Sequence, residues 1–452
     1  MEFNTEVVKK MATIMVTEVE RLGMAEDGIR ALETGMRELL RAVGAAALGQ
    51  ALEHRDQQQH AEATRPCACG GTLGYQFRRR AVIVSVFGRV GYQRRYYTCP
   101  ACHQGQAPLD EQLGLKAGAV TAGLAELLAL AGVEVAFEEA SRLVEHYLLF
   151  RVSDNTIRKE TERFGALQQA REAHWQQQSQ DIGWLQERRH QIGPQAGRLY
   201  GSLDGVMAPL QGEWRELKNI AWYRVAPVRR YQPRRHHASR VGEQQDLQAQ
   251  DITYHCDIQP SEQFADLFWA TACQRQADLY EELVFVCDGA VWIWNLIGRH
   301  FPQAVQIVDW YHASEYLPPV AEAAFGRETP EYAAWLQQAR SQLWEGQIDE
   351  LIHDCQLLAA KPAAAQAAQT AVTYFTNNQH RMDYARFRQQ GYFIGSGTVE
   401  SAGKQIATLR LKRAGARWTE TGAVQTAKAR AAWLSGEWEY LATAREALPL
   451  AV

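Results

Sequence analysis

ELVFVCDGAVWIWNLIGRHFPQAVQIVDWYHASEYL, from Glu282 to Leu317, decides the fold class. Leu283–Cys287 is a fully apolar run that stops at Asp288-Gly289 and gives way to a helical segment. Val305–Val308 repeats the scheme and stops at Asp309. Buried strands normally carry no charge, because an unpaired buried carboxylate is costly. An acid at a strand's C-terminal end is different, since ligands bind at that edge of open α/β sheets. A single Asp-Gly reads as a turn. Here a third apolar strand, in GRLYGSLDG, also ends in an acid, Asp204.

Working outward, the chain turns β-rich after Gly193-Pro194. Asp204 is followed by a hairpin through Gln211-Gly212, a further strand, and the short strand ITYHCDI (Ile252–Ile258). A helix is expected from about Ser261 to Ala277. Far downstream, YFIGSGTVESAGKQ has a Gly-Ser-Gly break and then a helix starting near Thr398, with Glu400 in its first turn. A carboxylate there gains from the helix dipole, so Glu400 also reads as a simple helix-start residue. Lys404, one turn on, is placed to pair with Glu400 or to touch a phosphate.

Three carboxylates suit phosphodiester transfer. Two divalent ions roughly 3.5–4 Å apart activate the attacking oxygen and stabilise the leaving one. Mg²⁺ takes hard oxygen ligands and keeps several waters. Two Asp on adjacent strands and one acid on a packed helix make a ribonuclease-H-like arrangement in an α/β fold. Spacing alone leaves Asp309 a competitor of Asp288 for the second position.

Upstream, Cys67, Cys69, Cys99 and Cys102 crowd around a stretch rich in Val, Ile, Tyr and Phe, with a turn at Phe87-Gly88-Arg89. Two ligand knuckles on a β-hairpin describe a zinc ribbon, and four thiolates make the site structural rather than catalytic. Cys67-x-Cys69 is tighter than the usual knuckle, so His103 stands as a substitute ligand and Cys67 is the weakest of the four. Cys256, Cys273, Cys287 and Cys355 sit singly in apolar sequence and read as buried free thiols.

The chain has 452 residues and a net charge of −4, with 46% hydrophobic and 22% charged residues, values of an ordinary globular protein. No apolar run approaches the roughly 20 residues of a membrane span. The N-terminus lacks the apolar core of a secretion signal, so a cytoplasmic protein is expected. The acidic average hides local basic runs. Arg224–Arg240 holds six arginines and no acid, among them Arg229, Arg230, Arg234 and Arg235, and Lys404–Trp418 also lacks acids while carrying Arg410, Lys412 and Arg413. Either run alone reads as a solvated loop; both beside carboxylates suggest phosphate contact. FEEASRLVEHYLLFRVSDNTIRKETERFG reads as two helices about a short break, the second capped by Ser153 or Asp154 and carrying Arg158 and Lys159. That pattern suits either a helical hairpin or a DNA-binding helix-turn-helix. Gln168–Gln191 reads as a long polar helix or connector.

YGSLDG, FVCDGAVWIWN, HFPQAVQIVDWYHASEYL, RYYTCPACHQGQAPLDEQLGL and NNQHRMDYARFRQQGYFIGSGTVESAGKQIATLRLKRAGARW together resemble the bacterial insertion-sequence DDE transposases, specifically the Kra-type group related to mutator-like elements. The resemblance runs from the cysteine-rich segment almost to the C-terminus. It implies Asp204, Asp288 and Glu400 as catalytic acids, and assigns Asp309 with His312 to the auxiliary motif that mutator-like relatives carry near the second acid. It implies an all-helical insertion between Asp309 and Glu400, with Trp335 and Trp344 in its core rather than stacked on bases. It implies two Mg²⁺ (or Mn²⁺) ions, a structural Zn²⁺, double-stranded DNA partners (element ends and target), a homodimer or higher oligomer, and a bacterial, nucleoid-associated protein. The corresponding organisation is an N-terminal helical region (1–60), zinc ribbon (61–112), helical or helix-turn-helix DNA-binding region (113–192), first part of the ribonuclease-H-like core (193–312), helical insertion (313–390), and second part of the core with C-terminal helices (391–452). Two rivals share the motifs: a transposase-derived DNA-binding protein without catalysis, and a structure-selective nuclease on the same fold.

Overall fold

The computed structural model describes residues 5–21, 28–59, 63–227, 247–395, 397 and 402–447 as a mixed α/β chain with two sheets and many helices. It divides into two compact units, Met1–Phe164 with Glu439–Val452, and Gly165–Trp438.

In the first unit the expected N-terminal helices are α1 (Thr5–Arg21) and α2 (Ile29–Gln58). The last turns of the second are held by the sheet that follows. Glu53 accepts the Gln93 amide at 2.9 Å, and Asp56 accepts the Arg95 amide at 3.0 Å and the Arg78 guanidinium at 3.2 Å. That sheet is antiparallel throughout, in the order β1 (Thr64–Pro66), β2 (Thr72–Ser85), β3 (Gly88–Thr98), β4 (Gly105–Gln106). The β2–β3 turn closes at Ser85↔Gly88, with Gly88 at φ 88°, a left-handed backbone that glycine adopts without steric cost. Leu52, Ala81, Ile83, Val90, Tyr92 and Leu109 form the core between α2, the hairpin and α3 (Pro108–Gln112). Next come α4 (Ala122–Glu134), α5 (Phe137–Leu148) and the start of α6 (Asp154–Ser179), whose residues from Gly165 onward belong to the second unit. Ser153 Oγ accepts the Thr156 amide at 3.2 Å, the capping bond expected at that break.

The second unit continues through α7 (Ile182–Ile192) into five strands, β5 (Gln195–Pro209), β6 (Trp214–Pro227), β7 (Leu247–Asp257), β8 (Tyr280–Cys287) and β9 (Val305–Val308). Their order is β7-β6-β5-β8-β9. The first three form an antiparallel meander, and β8 and β9 join β5 in parallel. The strand expected to end at Asp204 instead runs on to Pro209, because β6 keeps pairing with it as far as Pro209↔Trp214. Its parallel pairing with β8 stops earlier, at Gly201↔Phe285. Helices α8 (Ser261–Gln274) and α9 (Val291–His300) supply the parallel crossovers' outer layer. Leu283–Cys287 is buried throughout, as a strand covered on both faces must be. Trp222, Phe268, Phe285 and Phe301 interlock in this core with ring centroids 5.6–5.8 Å apart. The Trp222 indole N–H donates to Thr271 Oγ1 at 3.0 Å, so its one polar atom is satisfied.

After β9 the chain is helical: α10 (Trp310–Glu315), α11 (Leu317–Phe325), α12 (Pro330–Trp344), α13 (Ile348–Ala359), α14 (Ala365–Asn378) and α15 (Tyr384–Gln389). Trp344 lies between Trp310 (5.4 Å) and the Arg388 guanidinium (4.0 Å), and Trp335 lies 6.5 Å from Phe325, so both tryptophans pack within these helices. A π-helix, α16 (Gly403–Leu411), then α17 (Glu420–Leu434) and α18 (Trp438–Ala447), complete the chain.

Candidate functional site

The edge at which β8 and β9 end, level with the middle of β5, gathers the three strand-associated acids. The ladder pairs Gly201 with Phe285 and Cys287 with Val308, so Asp288 follows the last residue of β8 as Asp309 follows that of β9. The Leu203 amide lies 3.3 Å from Cys287 Sγ, bringing Asp204 level with Asp288 on the adjoining strand. The Asp309 amide donates to the Cys287 carbonyl at 2.8 Å. Burial holds the Cys287 thiol protonated far above its ordinary range, and the nearby charges of Asp288, Asp204 and Asp309 reinforce this.

The acids differ in what their oxygens do. Asp309 is fully buried, and its Oδ1 accepts the His312 amide at 2.7 Å, capping α10. Asp204 and Asp288 are partly open. Asp288 Oδ1 accepts the Ala290 amide at 2.9 Å. Burial raises the Asp288 carboxyl above the ordinary carboxylate range. The Ala290 amide and His312 oppose that rise, and Glu216 and Asp309 add to it. A partly buried carboxylate facing other acids is a natural cation ligand. Asp288 and Asp309 each accept an amide just after their strands and differ in exposure, Asp309 being fully buried and Asp288 partly open.

Glu400 lies outside the described residues. The described glycines on either side of it are informative. Trp310 donates its amide to the Ile394 carbonyl at 3.1 Å, and a Cβ on Gly395 would sit 3.8 Å from Asp309 Oδ2. A Cβ on Gly403 would sit 3.0 Å from Asp204 Oδ2 and 2.7 Å from Val206. Only glycine lets α16 approach Asp204 this closely.

Two features of this edge were not singled out from sequence. Glu216 and Lys218, two apart on β6 and therefore on one face, form an ion pair at 2.6 Å, and Glu216 adds a carboxylate near Asp288. Their alternation in WRELKN was the available signal. The second feature is a cleft of about 830 Å³ lined by Asp288, His312, Glu315, Tyr316, Thr370 and Tyr374. Tyr316 and Tyr374 stack at 3.8 Å and form its wall. A Cβ on Gly289 would fall 2.2 Å from the Tyr374 ring, so Asp288-Gly289 is more than a turn: its glycine admits α14 to the acid edge.

In the first unit, the Sγ atoms of Cys67, Cys69, Cys99 and Cys102 all lie within 4.8 Å of one another. Cys67–Cys102 is 3.5 Å and Cys69–Cys99 is 3.7 Å. Tetrahedral zinc with bonds of about 2.3 Å separates its sulfurs by roughly 3.8 Å, so the cluster is compatible with a structural zinc ion. The short Cys67-x-Cys69 knuckle works because Gly70, at φ 83°, turns the chain, and the Cys67 amide and carbonyl bond Gly71 and Gly70 at 2.9 and 3.0 Å. Cys67 is thus a full member, and His103 is outside the group. Cys256, Cys273, Cys287 and Cys355 are buried free thiols, as expected.

Of the expected phosphate contacts, Arg229, Arg230, Arg234 and Arg235 lie outside the described residues. Lys404 is exposed, and Lys412 and Arg413 are half-buried. Arg410 departs from the expectation: it is 2% exposed beneath Trp418, and burial, with Arg413 and Arg430 nearby, lowers its guanidinium to about 9. Its surroundings are those of a packed side chain, since π-helical spacing turns it inward. In α6, Arg158 bonds Glu162 through one nitrogen at 2.7 and 2.8 Å, and Asn155 through another, while Lys159 is exposed.

No family model matches the chain, and no curated protein does. No helix among the described residues is long and apolar enough to cross a membrane.

Proposed function

We propose that the chain is a DDE transposase of the bacterial insertion-sequence type, Kra-like and related to mutator-like elements, with Asp204, Asp288 and Glu400 as its metal-holding acids on a ribonuclease-H-like core. One observation carries the reading. Asp204 and Asp288 stand level on adjacent parallel strands, partly open, while Asp309 is committed to capping α10. Neighbouring strands are roughly 4.8 Å apart, a spacing that suits carboxylates shared between two ions. The close approach of Gly403 to Asp204 supports Glu400 as the third acid, since the two residues are three apart in the chain.

Bound Mg²⁺ or Mn²⁺ would supply activation of the attacking oxygen and stabilisation of the leaving one, first with water and then with a 3′-hydroxyl as nucleophile. The chain's own part is to hold and orient. Asp204 and Asp288 present oxygen donors, and the Ala290 amide fixes the Asp288 rotamer. The exposed Lys404, with Lys412 and Arg413, sits after the third acid to hold phosphates. The Cys₄ cluster, holding zinc, and α5–α6, read as a helix-turn-helix, would recognise terminal sequences. Pairing of two DNA ends calls for a dimer or larger assembly.

The test is cleavage of a duplex carrying the terminal repeats that flank the gene. Asp204→Ala should abolish Mg²⁺-dependent cutting and leave binding intact. A variant that still cuts refutes the assignment. Cutting of branched DNA without repeats favours a structure-selective nuclease, and binding without cutting by the unaltered protein favours a derived DNA-binding protein.

A further inference from the structure

The first unit carries an aromatic surface that the catalytic reading does not use. Residues 63–109 contain seven arginines and no acid. Acids elsewhere in the unit pair with two of the seven: Asp56 takes Arg78 at 3.2 Å and Asp110 takes Arg94 at 2.9 Å, while the Arg95 guanidinium donates to the Asp56 and Gln59 carbonyls at 2.9 and 2.8 Å. Arg79 and Arg80 are exposed, and no acidic group among the described residues pairs with them. The Arg79 guanidinium lies 4.7 Å over the Tyr96 ring. Phe77, 55% exposed, faces Tyr96 across the ladder with centroids 6.4 Å apart and planes tilted by 43°.

The backbone builds this surface deliberately. A bulge between Tyr75 and Phe77 gives them consecutive partners, Tyr97 and Tyr96, so the two rings lie on opposite faces. Tyr97 is buried beside the cysteine cluster, while Phe77 is left outside. Tyr96 is held over β4, where a Cβ on Gly105 would fall 1.9 Å from its hydroxyl. Beside the bulge, a hollow of about 510 Å³ is lined by Thr64, Thr72, Gln76, Thr98 and His103, all able to hydrogen-bond a base edge. An exposed Phe, a fixed Tyr and, on the same face, the Arg79 cation without an acidic partner suit a strand whose bases are free to stack and whose phosphates are negative. A duplex would offer its phosphates but keep its ring faces hidden.

We propose that Phe77, Tyr96 and Arg79 form a stacking platform for single-stranded DNA. Bases stack on Phe77 and on the Tyr96 side of the hairpin, Arg79 on the same face holds a phosphate, and the hollow at Gln76 takes a base edge.

The experiment uses the full-length, zinc-loaded protein without Mg²⁺, so its result does not depend on the catalytic acids. Anisotropy of a labelled twelve-nucleotide oligo-dT is compared with that of a twelve-base-pair duplex. Phe77→Ala should weaken single-strand binding by roughly 5- to 150-fold, the range for losing one stacked base, and leave duplex binding unchanged. Phe77→Trp should bind as the unaltered protein does, and zinc content should be equal in all three. Single-strand binding unaffected by Phe77→Ala overturns the proposal, as does an equal loss for both DNAs. So does a dimer that dissociates on Phe77→Ala, which would make the patch a contact between copies of the chain.

Discussion

Lys428 is a sharp place to perturb this protein. Its ammonium is 1% exposed, 2.5 Å from Glu172 and 2.9 Å from Asp257, and it donates to the Cys256 carbonyl at 2.8 Å. His255 lies 3.0 Å from the other Glu172 oxygen, so α6, β7 and α17 meet at one buried charge cluster. Burial alone would raise the Glu172 carboxyl, yet Lys428 and His255 hold it at about 2 against an ordinary 4.5. At 1.36 kcal/mol per tenfold change, the charged form gains about 3 kcal/mol there. Lys428→Met keeps the volume and removes the cation, leaving Glu172 and Asp257 buried without it. The expected loss is about 3–5 kcal/mol at pH 7.

The pH dependence gives a second handle. In the unaltered protein Glu172 is depressed, so its stabilisation is complete above about 4.5 and is lost as pH falls through about 2. In Lys428→Met the same carboxyl is pushed up by burial, so protonation relieves the variant as pH falls. The gap between the two proteins should therefore be smaller at pH 4 than at pH 7. Urea unfolding followed by circular dichroism and tryptophan fluorescence measures it, and Trp175, 5.8 Å from His255, reports locally. A loss below about 1 kcal/mol at pH 7, or a gap that does not change with pH, would refute this account of the cluster.

Three further outcomes follow from the geometry. Cys99→Ser should abolish the binding of one zinc per chain, read by elemental analysis, and lower the thermal stability of the hairpin unit, because metal-binding energy in such sites is folding energy. Gly403→Ala should push α16 away from Val206 and Asp204 and cut the proposed cleavage by about 100-fold, at a stability cost of about 1–3 kcal/mol; unchanged cleavage would mean that this approach does not matter. Because Asp288 lies above the ordinary carboxylate range, the metal-dependent rate should begin to fall, as pH is lowered, before an ordinary carboxylate titrates. His312→Ala, by removing a group that lowers the Asp288 carboxyl, should move that fall to still higher pH; a pH–rate profile without this displacement would count against Asp288 as a ligand.

By itself, the sequence determined the mixed α/β class, the apolar strands bearing Asp288 and Asp309 at their ends, the paired cysteines, and the helix starting at Ser261. These features are local. Periodicity follows from backbone geometry, and a charge closing an apolar run marks where burial stops. Only the tertiary structure decided what depends on neighbours. Asp309 and Asp288 look alike in the chain, and each accepts an amide just after its strand, but Asp309 is fully buried and the cleft opens on Asp288. Arg410 belongs to a basic run in sequence and to the interior in space, because a π-helix turns it under Trp418. Glu172, Lys428 and His255 are far apart in the chain and unremarkable there; their burial together depends on how α6, β7 and α17 pack, which no local pattern encodes.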